Sequence, residues 1–112
     1  MSKFDDLMAD YKAQLSGIGV SADDALLTAV AKGLGPSIYN KDSSTVSCSD
    51  SSEKERVKAN FLIKKLGMTD SPALDEAIEA VCSQVGSSER NKYRPVFYYL
   101  LVKKLGKESV YA

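Results

Sequence analysis

The residues of this chain that could carry out chemistry are carboxylates, lysines, serines and two cysteines, because the sequence contains no histidine. Histidine is the commonest general base and a frequent metal ligand, so its absence removes most catalytic triads, Cys–His pairs and zinc sites. Catalysis by a Ser–Lys pair or by carboxylates alone stays open, but no spacing selects either. We therefore expect no catalytic residue, no metal, no cofactor and no enzymatic activity.

Two pairs of adjacent carboxylates, Asp23–Asp24 and Asp75–Glu76, lie near the starts of two predicted helices. Paired carboxylates can bind a metal ion or share a proton, so this pattern leaves such chemistry open. Negative groups in the first turn of a helix also interact favourably with the helix dipole, by roughly 0.3–1 kcal/mol each. We favour this second, structural interpretation.

The stretch from Asp42 to Glu53 has the twelve-residue length of a calcium-binding loop. Asp42, Asp50 and Glu53 stand at its first, ninth and twelfth positions, where oxygen ligands are needed. Val46 cannot provide a side-chain ligand, and Ser47 stands where the loop needs a glycine. We therefore expect Glu53 to act in the first turn of a helix instead.

Basic residues of the second half of the chain could form one face that binds nucleic acid or a protein partner. The candidate residues are Lys64, Lys65, Arg90, Lys92, Arg94, Lys103, Lys104 and Lys107. Against a binding role, lysines in the last turn of a helix are favoured by the helix dipole alone.

Three tyrosines near the end of the chain support two of the alternatives. Tyr93, Tyr98 and Tyr99 could stack on single-stranded nucleic acid beside the basic residues. Together with carboxylates of the second and fourth helices, they could instead line a pocket for a small ligand. Tyrosines in an apolar run are more often core residues whose hydroxyl group reaches the surface.

The composition is that of a soluble globular domain. The chain has 112 residues, of which 44% are apolar and 27% charged, and its formal net charge is zero. This balance disfavours a dedicated nucleic-acid or membrane binder, and we expect one helical domain over residues 1–112. Cys48 and Cys82 have no CxxC spacing, so we expect free thiols in a reducing compartment. The sequence has no signal-peptide pattern and no run of about 20 apolar residues, so we predict a cytoplasmic protein.

Apolar residues recur at helical spacing in five segments without any strand pattern, which predicts an all-α bundle of about five helices. The predicted parts are an N-terminal helix over 1–16, a first helix pair over 21–67 with a serine-rich loop over 37–52, and a second helix pair over 71–106. The loop is expected at the surface, where loops of this length are either functional or mobile. Residues 96–102 are apolar or aromatic on every side, so the last helix should be the central one.

Cap residues predict where these helices begin and end. Ser2 and Ser52 are expected to start the first and third helices through capping boxes, and the second helix should start at Ser21. Pro72, preceded by serine, predicts the start of the fourth helix. Gly67 is expected to end the third helix in a Schellman motif.

The chain contains a phrase that occurs twice, NFLIKKLG at residues 60–67 and YLLVKKLG at residues 99–106. A second match relates residues 26–30 to residues 77–81. The first match has an offset of 39 positions and the second an offset of 51, and the difference of 12 equals the extra length of the serine-rich loop. The pattern predicts a duplicated helix pair, with the N-terminal helix outside it.

Two resemblances bear on these predictions. Residues 15–19, LSGIG, resemble the hairpin of helix-hairpin-helix DNA-binding motifs, but Asp23 and Asp24 follow where a phosphate would be repelled. The whole chain resembles a small bacterial family of domains of unknown function, through its FDDLMADYKAQL helix, its SADDALLTAVAKGLGPSIYN segment, and two KKLG-ended helices separated by SPALDEAI. That resemblance implies a compact all-helical protein and no assigned activity, cofactor or catalytic residue.

We therefore expect a non-enzymatic helical protein that acts by binding another protein or itself. Nucleic-acid binding through the basic residues is the first alternative, and binding of a small ligand beside the aromatic last helix is the second. The sequence identifies no partner.

Overall fold

The backbone is mostly helical in the part of the chain that the computed structural model describes, which is residues 3–40, 44–86 and 92–111. Five α-helices lie within these ranges: α1 Lys3–Gly17, α2 Asp24–Gly33, α3 Ser51–Val57, α4 Pro72–Val85 and α5 Arg94–Leu105. Short 3-10 helices occupy Gly35–Tyr39 and Glu108–Tyr111, and a π-helical segment, Lys58–Ile63, continues α3. The radius of gyration, 13.0 Å, is about that of a compact chain of this length. The predicted all-α fold with five helices is confirmed.

The last long helix, α5, is the central one, as its sequence predicts. All eight residues from Pro95 to Val102 are buried, and α1, α2 and α4 pack against them. Because neighbours cover every side, a helix without a polar face is stable here. No helix among the described residues is long and apolar enough to cross a membrane.

The start of α2 differs from the prediction by two residues. The carboxylate of Asp23 accepts hydrogen bonds from the backbone N–H groups of Ala25, at 3.1 Å, and Leu26, at 3.2 Å. Asp23 is therefore the N-cap, and the predicted start at Ser21 is wrong. Aspartate and serine cap equally well, so the sequence pattern alone did not distinguish them.

The capping box predicted for the third helix is also wrong. Asp50 caps α3, because its carboxylate accepts from the N–H groups of Ser52, at 2.9 Å, and Glu53, at 3.4 Å. This frees the Glu53 side chain to turn into the protein, where the residue is only 9% exposed. Ser2, the predicted cap of the first helix, lies outside the described residues.

The first KKLG phrase follows the π-helical segment Lys58–Ile63. The backbone N–H of Leu66 donates to the carbonyl of Phe61 at 2.9 Å, five residues back, and that of Met68 donates to Leu62 at 3.0 Å, six residues back. Gly67 has the left-handed φ of 71° that ends the helix. The spacing of six exceeds that of a Schellman motif, so the motif predicted here is wrong, although the helix does end at this glycine.

The second KKLG phrase ends a regular helix. The N–H of Lys107 donates to the carbonyl of Val102 at 3.0 Å, and that of Gly106 donates to Lys103 at 3.4 Å. These are the two bonds of a Schellman motif, with Gly106 at a left-handed φ of 68°. The two phrases therefore share a glycine stop and differ in their hydrogen bonds.

The predicted surface loop at 37–52 is anchored in the core where it is described. Val46 is only 2% exposed, and its N–H donates to the carbonyl of Lys92 at 2.8 Å. The N–H of Arg94 in turn donates to the carbonyl of Ser44 at 2.9 Å. This short pairing fixes the loop beside the start of α5.

A disulfide bond joins the same loop to α4. Cys48 and Cys82 are bonded, with their Cα atoms 6.0 Å apart. The expectation of free thiols is therefore wrong. The two cysteines are 34 positions apart, and only the packing of the loop against α4 reveals that they are neighbours.

Candidate functional site

A largely buried ion pair, with side chains only 11% and 13% exposed, joins Glu53 at the start of α3 to Arg94 at the start of α5. The guanidinium group of Arg94 binds the carboxylate of Glu53, which also accepts from Arg56 at 2.7 Å. Arg94 further donates to the hydroxyl oxygen of Tyr98 at 2.9 Å and to the carbonyl of Thr45 at 3.1 Å. One arginine therefore links α3, α5 and the anchored loop.

The electrostatics of this cluster indicate a structural role. Burial raises the pKa of Glu53, but hydrogen bonds from Arg56 and Arg94 outweigh it, so the pKa lies below its ordinary value. Burial lowers the pKa of Arg94, and Tyr98 and Glu53 raise it by more. Burial also raises the pKa of Tyr98. At neutral pH the cluster thus has a charged acid, a charged base and a neutral phenol, and none is poised to exchange a proton.

The paired carboxylates do not come together in one site. Asp23 caps α2, while Asp24 pairs with Lys12 at 3.4 Å. Asp75, at the start of α4, pairs with Lys58 at 3.2 Å. Within the described ranges, no group of three histidine, cysteine or carboxylate side chains is placed to bind a metal ion.

The carboxylates of the calcium-like stretch have other partners. Asp50 caps α3, and Glu53 binds two arginines. Asp42 lies outside the described residues. The two carboxylates that the structure describes are therefore used within the protein.

The eight candidate basic residues have different environments. Lys92 is only 8% exposed, and Arg94 belongs to the buried cluster. Lys64 is exposed and Lys107 is half-buried, while Arg90 lies outside the described residues. The ammonium group of Lys65 lies 5.1 Å from the ring centre of Tyr111. Whether any of these residues contacts a partner stays a prediction.

Lys103 and Lys104 line a concave site that we call the lysine hollow. Its volume is about 320 Å³, and its lining residues are Val20, Ser21, Gln84, Tyr99, Leu100, Lys103 and Lys104. It lies where the turn after α1 and the end of α4 meet the second half of α5.

A second concave site, the tyrosine cleft, lies at the end of α2. Its volume is about 230 Å³, and its lining residues are Gly33, Leu34, Asn60, Phe61, Lys65, Tyr98 and Tyr111. The rings of Phe61 and Tyr98 are stacked, with their centroids 3.8 Å apart. Burial raises the pKa of Tyr111 to about 12, so its hydroxyl group is neutral in the physiological range.

A third concave site, the Tyr39 hollow, also lies at the end of α2. Its volume is about 190 Å³, and its lining residues are Phe4, Ala31, Lys32, Gly35, Ile38 and Tyr39. Tyr39 is 44% exposed, and the ammonium group of Lys3 lies 5.7 Å from its ring centre. The sequence pattern did not single out Tyr39, which lies in the short 3-10 helix after α2. The tail with Tyr111 was expected to dock on the last helix or on a second subunit.

One buried polar atom has no partner within the described ranges, the hydroxyl oxygen of Tyr11. Tyr11 is 1% exposed, and its ring contacts that of Tyr93 edge to face at 5.4 Å. Burial is the main cause that raises its pKa to about 12. The hydroxyl group is therefore buried, neutral and unpaired among these residues.

Comparison with known families adds one finding. Residues 8–109 match the family described as protein of unknown function, DUF2853. The chain belongs to the DUF2853 family. This confirms the resemblance to a helical family of unknown function. The sequence matches no curated protein.

In this DUF2853 chain, the three tyrosines that could have formed one pocket lie apart. Tyr99 lines the lysine hollow, Tyr98 lines the tyrosine cleft, and Tyr93 packs on Tyr11. No carboxylate lines either concave site. The fold therefore places the aromatic residues of α5 beside lysines.

Proposed function

We propose that the protein is a non-enzymatic binding protein that docks a partner protein on the surface around the end of α2. This surface, which we call the α2-end surface, comprises the Tyr39 hollow, the tyrosine cleft and Val110. The observation that carries the proposal is the position of the exposed large apolar residues. Within the described part of the chain these are Tyr39, at 44%, and Val110, at 37% exposure, one in the Tyr39 hollow and one next to Tyr111 of the cleft.

The sizes of the two concave sites favour a protein over a small molecule. Pockets for small ligands usually measure about 300–1,000 Å³, whereas these measure about 190 and 230 Å³. Each has room for one or two side chains. Two such sites at one helix end suit a segment that inserts one apolar anchor into each, with tyrosines in the contact, as in many protein interfaces.

The charges around the α2-end surface favour an acidic partner. Lys32 lines one concave site and Lys65 the other, and Lys3 lies over the Tyr39 ring. No carboxylate lines either site. A two-fold dimer through this surface would bring like charges together, so we infer a different protein whose docking segment carries acidic residues beside its apolar anchors.

Site-specific photocrosslinking in cells tests this proposal. A photoreactive benzoylphenylalanine replaces Tyr39 in one variant and Glu76, an exposed residue of α4, in the matched control. We expect one discrete adduct from the Tyr39 position only. The identified partner should then bind the purified protein, and Tyr39→Ser should weaken that binding at least roughly tenfold.

Three outcomes would overturn the proposal: the same adducts from both positions, no adduct at all, or a partner whose affinity is unchanged by Tyr39→Ser. Size-exclusion chromatography with light scattering at several concentrations provides a separate check. A dimer that Tyr39→Ser dissociates would identify the occupant as a second copy of the chain instead.

The absence of enzymatic activity is part of the proposal and is supported by the charged clusters. Glu53 and Arg94 are paired with each other, and Asp24 and Asp75 with lysines.

Nucleic-acid binding stays the alternative prediction. Labelled oligonucleotides at two salt concentrations test it, because phosphate contacts make binding salt-dependent.

We also propose that the two helix pairs arose by duplication. The repeated KKLG phrase and its two left-handed glycines, at φ 71° and 68°, support this. When the two helix pairs are superposed, Leu27 should coincide with Ile78 and Leu62 with Leu101. Failure of these residues to coincide would reject the duplication.

A cytoplasmic location stays a proposal. The Cys48–Cys82 disulfide is of a kind more typical of oxidising compartments. Alkylation of thiols in intact cells tests the location. Labelling of both cysteines would agree with a cytoplasmic location. A protein with no labelled cysteine would contradict that location.

A further inference from the structure

The lysine hollow contains a buried hydroxyl group whose hydrogen has no acceptor among the described residues. Tyr99 is 1% exposed and lines this hollow. Its hydroxyl oxygen accepts from the backbone N–H of Asp23 at 2.8 Å, beside the wall formed by Val20 and Ser21. Among the described residues, no acceptor is present for its hydrogen. A buried donor without an acceptor is unfavourable, so an acceptor placed in the hollow would be stabilised.

The other polar side chains of the hollow can also donate hydrogen bonds, and those of Ser21 and Gln84 can accept them as well. Lys104, Gln84 and Ser21 have no hydrogen-bond or ion-pair partner in the described part of the chain. Lys103 pairs with Glu108 at 3.6 Å, and both side chains are nearly half exposed. Such an exposed pair contributes little and can exchange for a ligand. No carboxylate lines the hollow itself. The nearby Asp23 carboxylate already accepts from the N–H groups of Ala25 and Leu26, so the two lysines make the hollow complementary to an anion.

The dimensions and walls of the hollow restrict the ligand further. Its volume of about 320 Å³ lies at the lower end of the range for small-molecule sites, which is about 300–1,000 Å³. Val20 and Leu100 supply apolar wall next to the donors. We propose that the lysine hollow binds a small oxyanion ligand, a carboxylate or a phosphate on a short apolar body. Lys104 and Tyr99 contact the oxyanion, and Leu100 contacts the body.

This site shares no lining residue with the α2-end surface. The two proposals are therefore independent, and the failure of one leaves the other unaffected.

Titrations followed by ¹H–¹⁵N NMR test the oxyanion site. The probes are inorganic phosphate, phenyl phosphate and benzoate, added at constant ionic strength against chloride. We expect saturable shifts confined to backbone amides of the hollow, with those of Ser21, Gln84 and Lys104 largest. Saturation by the phosphates alone or by benzoate alone supports the site and identifies which oxyanion it takes.

Matched lysine variants separate a specific site from general attraction to positive charge. Lys104→Gln should weaken binding roughly tenfold, as expected for loss of one charge-assisted hydrogen bond. Lys64→Gln removes the same charge from the other KKLG phrase, outside the hollow, and should leave binding unchanged. Tyr99→Phe, if folded by its NMR spectrum, should weaken binding as well.

Two results would overturn the proposal. The first is the absence of saturable shifts with all three probes. The second is equal weakening by Lys104→Gln and Lys64→Gln, which would mean that the anions respond to overall charge and not to this hollow.

Discussion

The hydroxyl oxygen of Tyr99 accepts a hydrogen bond from the backbone N–H of Asp23 at 2.8 Å, across 76 positions of the sequence. The bond connects the middle of the central helix with the residue that caps α2. Tyr11 is equally buried, at 1% exposure, but its hydroxyl group has no partner among the described residues. The two tyrosines thus form a matched pair, one with a bonded hydroxyl group and one without.

Removal of each hydroxyl group should have opposite effects on stability. Tyr99→Phe leaves the Asp23 N–H without its acceptor, so we expect the free energy of unfolding to fall by about 1 kcal/mol. Tyr11→Phe removes a buried polar group that has no described partner, so stability should stay the same or rise by up to about 1 kcal/mol. Urea denaturation of both variants measures the difference. A larger loss for Tyr11→Phe than for Tyr99→Phe would contradict this account.

The Glu53–Arg94 ion pair should contribute to the free energy of unfolding at neutral pH. Glu53→Gln leaves the buried guanidinium group without its counter-charge, so we expect a loss of about 3 kcal/mol at pH 7. Glu79→Gln is the control, because Glu79 pairs with Lys54 at an exposed site and should cost less than about 1 kcal/mol. Chemical denaturation at pH 7 compares the two variants.

The same pair also predicts the direction of a pH dependence. The pKa of Glu53 in the folded protein lies below its ordinary value of 4.5. Its contribution is therefore fully present above that ordinary value and is lost as pH falls through the folded-state pKa. The stability difference between the unmodified protein and Glu53→Gln should shrink in this acidic range. A difference that stays constant from neutral to strongly acidic pH would be inconsistent with the paired carboxylate.

The disulfide should stabilise the fold by closing a long loop in the unfolded chain. For a separation of 34 residues, the loop-closure estimate is about 3–4 kcal/mol. Cys48→Ser with Cys82→Ser should lower the free energy of unfolding by that amount, and reduction should have a similar effect. Thiol titration of the denatured, unreduced protein should find no free thiol. Two free thiols in protein purified without reductant would contradict the bond.

The glycines at helix ends should differ in their tolerance of alanine. Gly106 has a left-handed φ of 68°, so Gly106→Ala should cost about 1 kcal/mol. Gly17 is helical, and a Cβ atom there would meet nothing within 4 Å. Gly17→Ala should therefore be neutral or stabilising by up to about 1 kcal/mol. Thermal unfolding of the two variants makes the comparison, and equal melting temperatures would count against the left-handed requirement.

The sequence predicts most of the helices and the central one because the relevant signals are local. The apolar residues around Phe97 occur on every side of a helical projection, and only a covered helix can accommodate that pattern. Pro72 and Gly106 likewise determine a helix start and a helix end through their own backbone preferences. Such signals depend on a residue and its near neighbours in the chain.

The helix caps were predicted less well because several nearby residues can cap the N-terminus of the same helix. Ser21 and Asp23 are both good N-caps, as are Asp50 and Ser52, and the choice depends on which conformation packs best. At α2, Tyr99 favours the choice made, because it accepts from the Asp23 N–H. At α3, the cap at Asp50 frees Glu53 for Arg94. Both choices depend on residues that are far away in the sequence.

The candidate sites were the least predictable part. Lys103 and Lys104 were singled out from a repeated phrase, but their neighbours Ser21 and Gln84 come from other elements. One alternative placed the tyrosines of the last helix in a single pocket. Tyr98 and Tyr99 are neighbours on a helix and point in different directions, so they line different concave sites.

By itself the sequence determined the helical fold class, the central position of α5 and the glycine helix ends, because apolar periodicity and backbone preference act within a few residues. Only the tertiary structure decided that Cys48 is bonded to Cys82, that Arg94 is buried against Glu53, and which side chains share a hollow. These relationships join residues that are many positions apart. They depend on how complete helices pack, which no local pattern in the chain records.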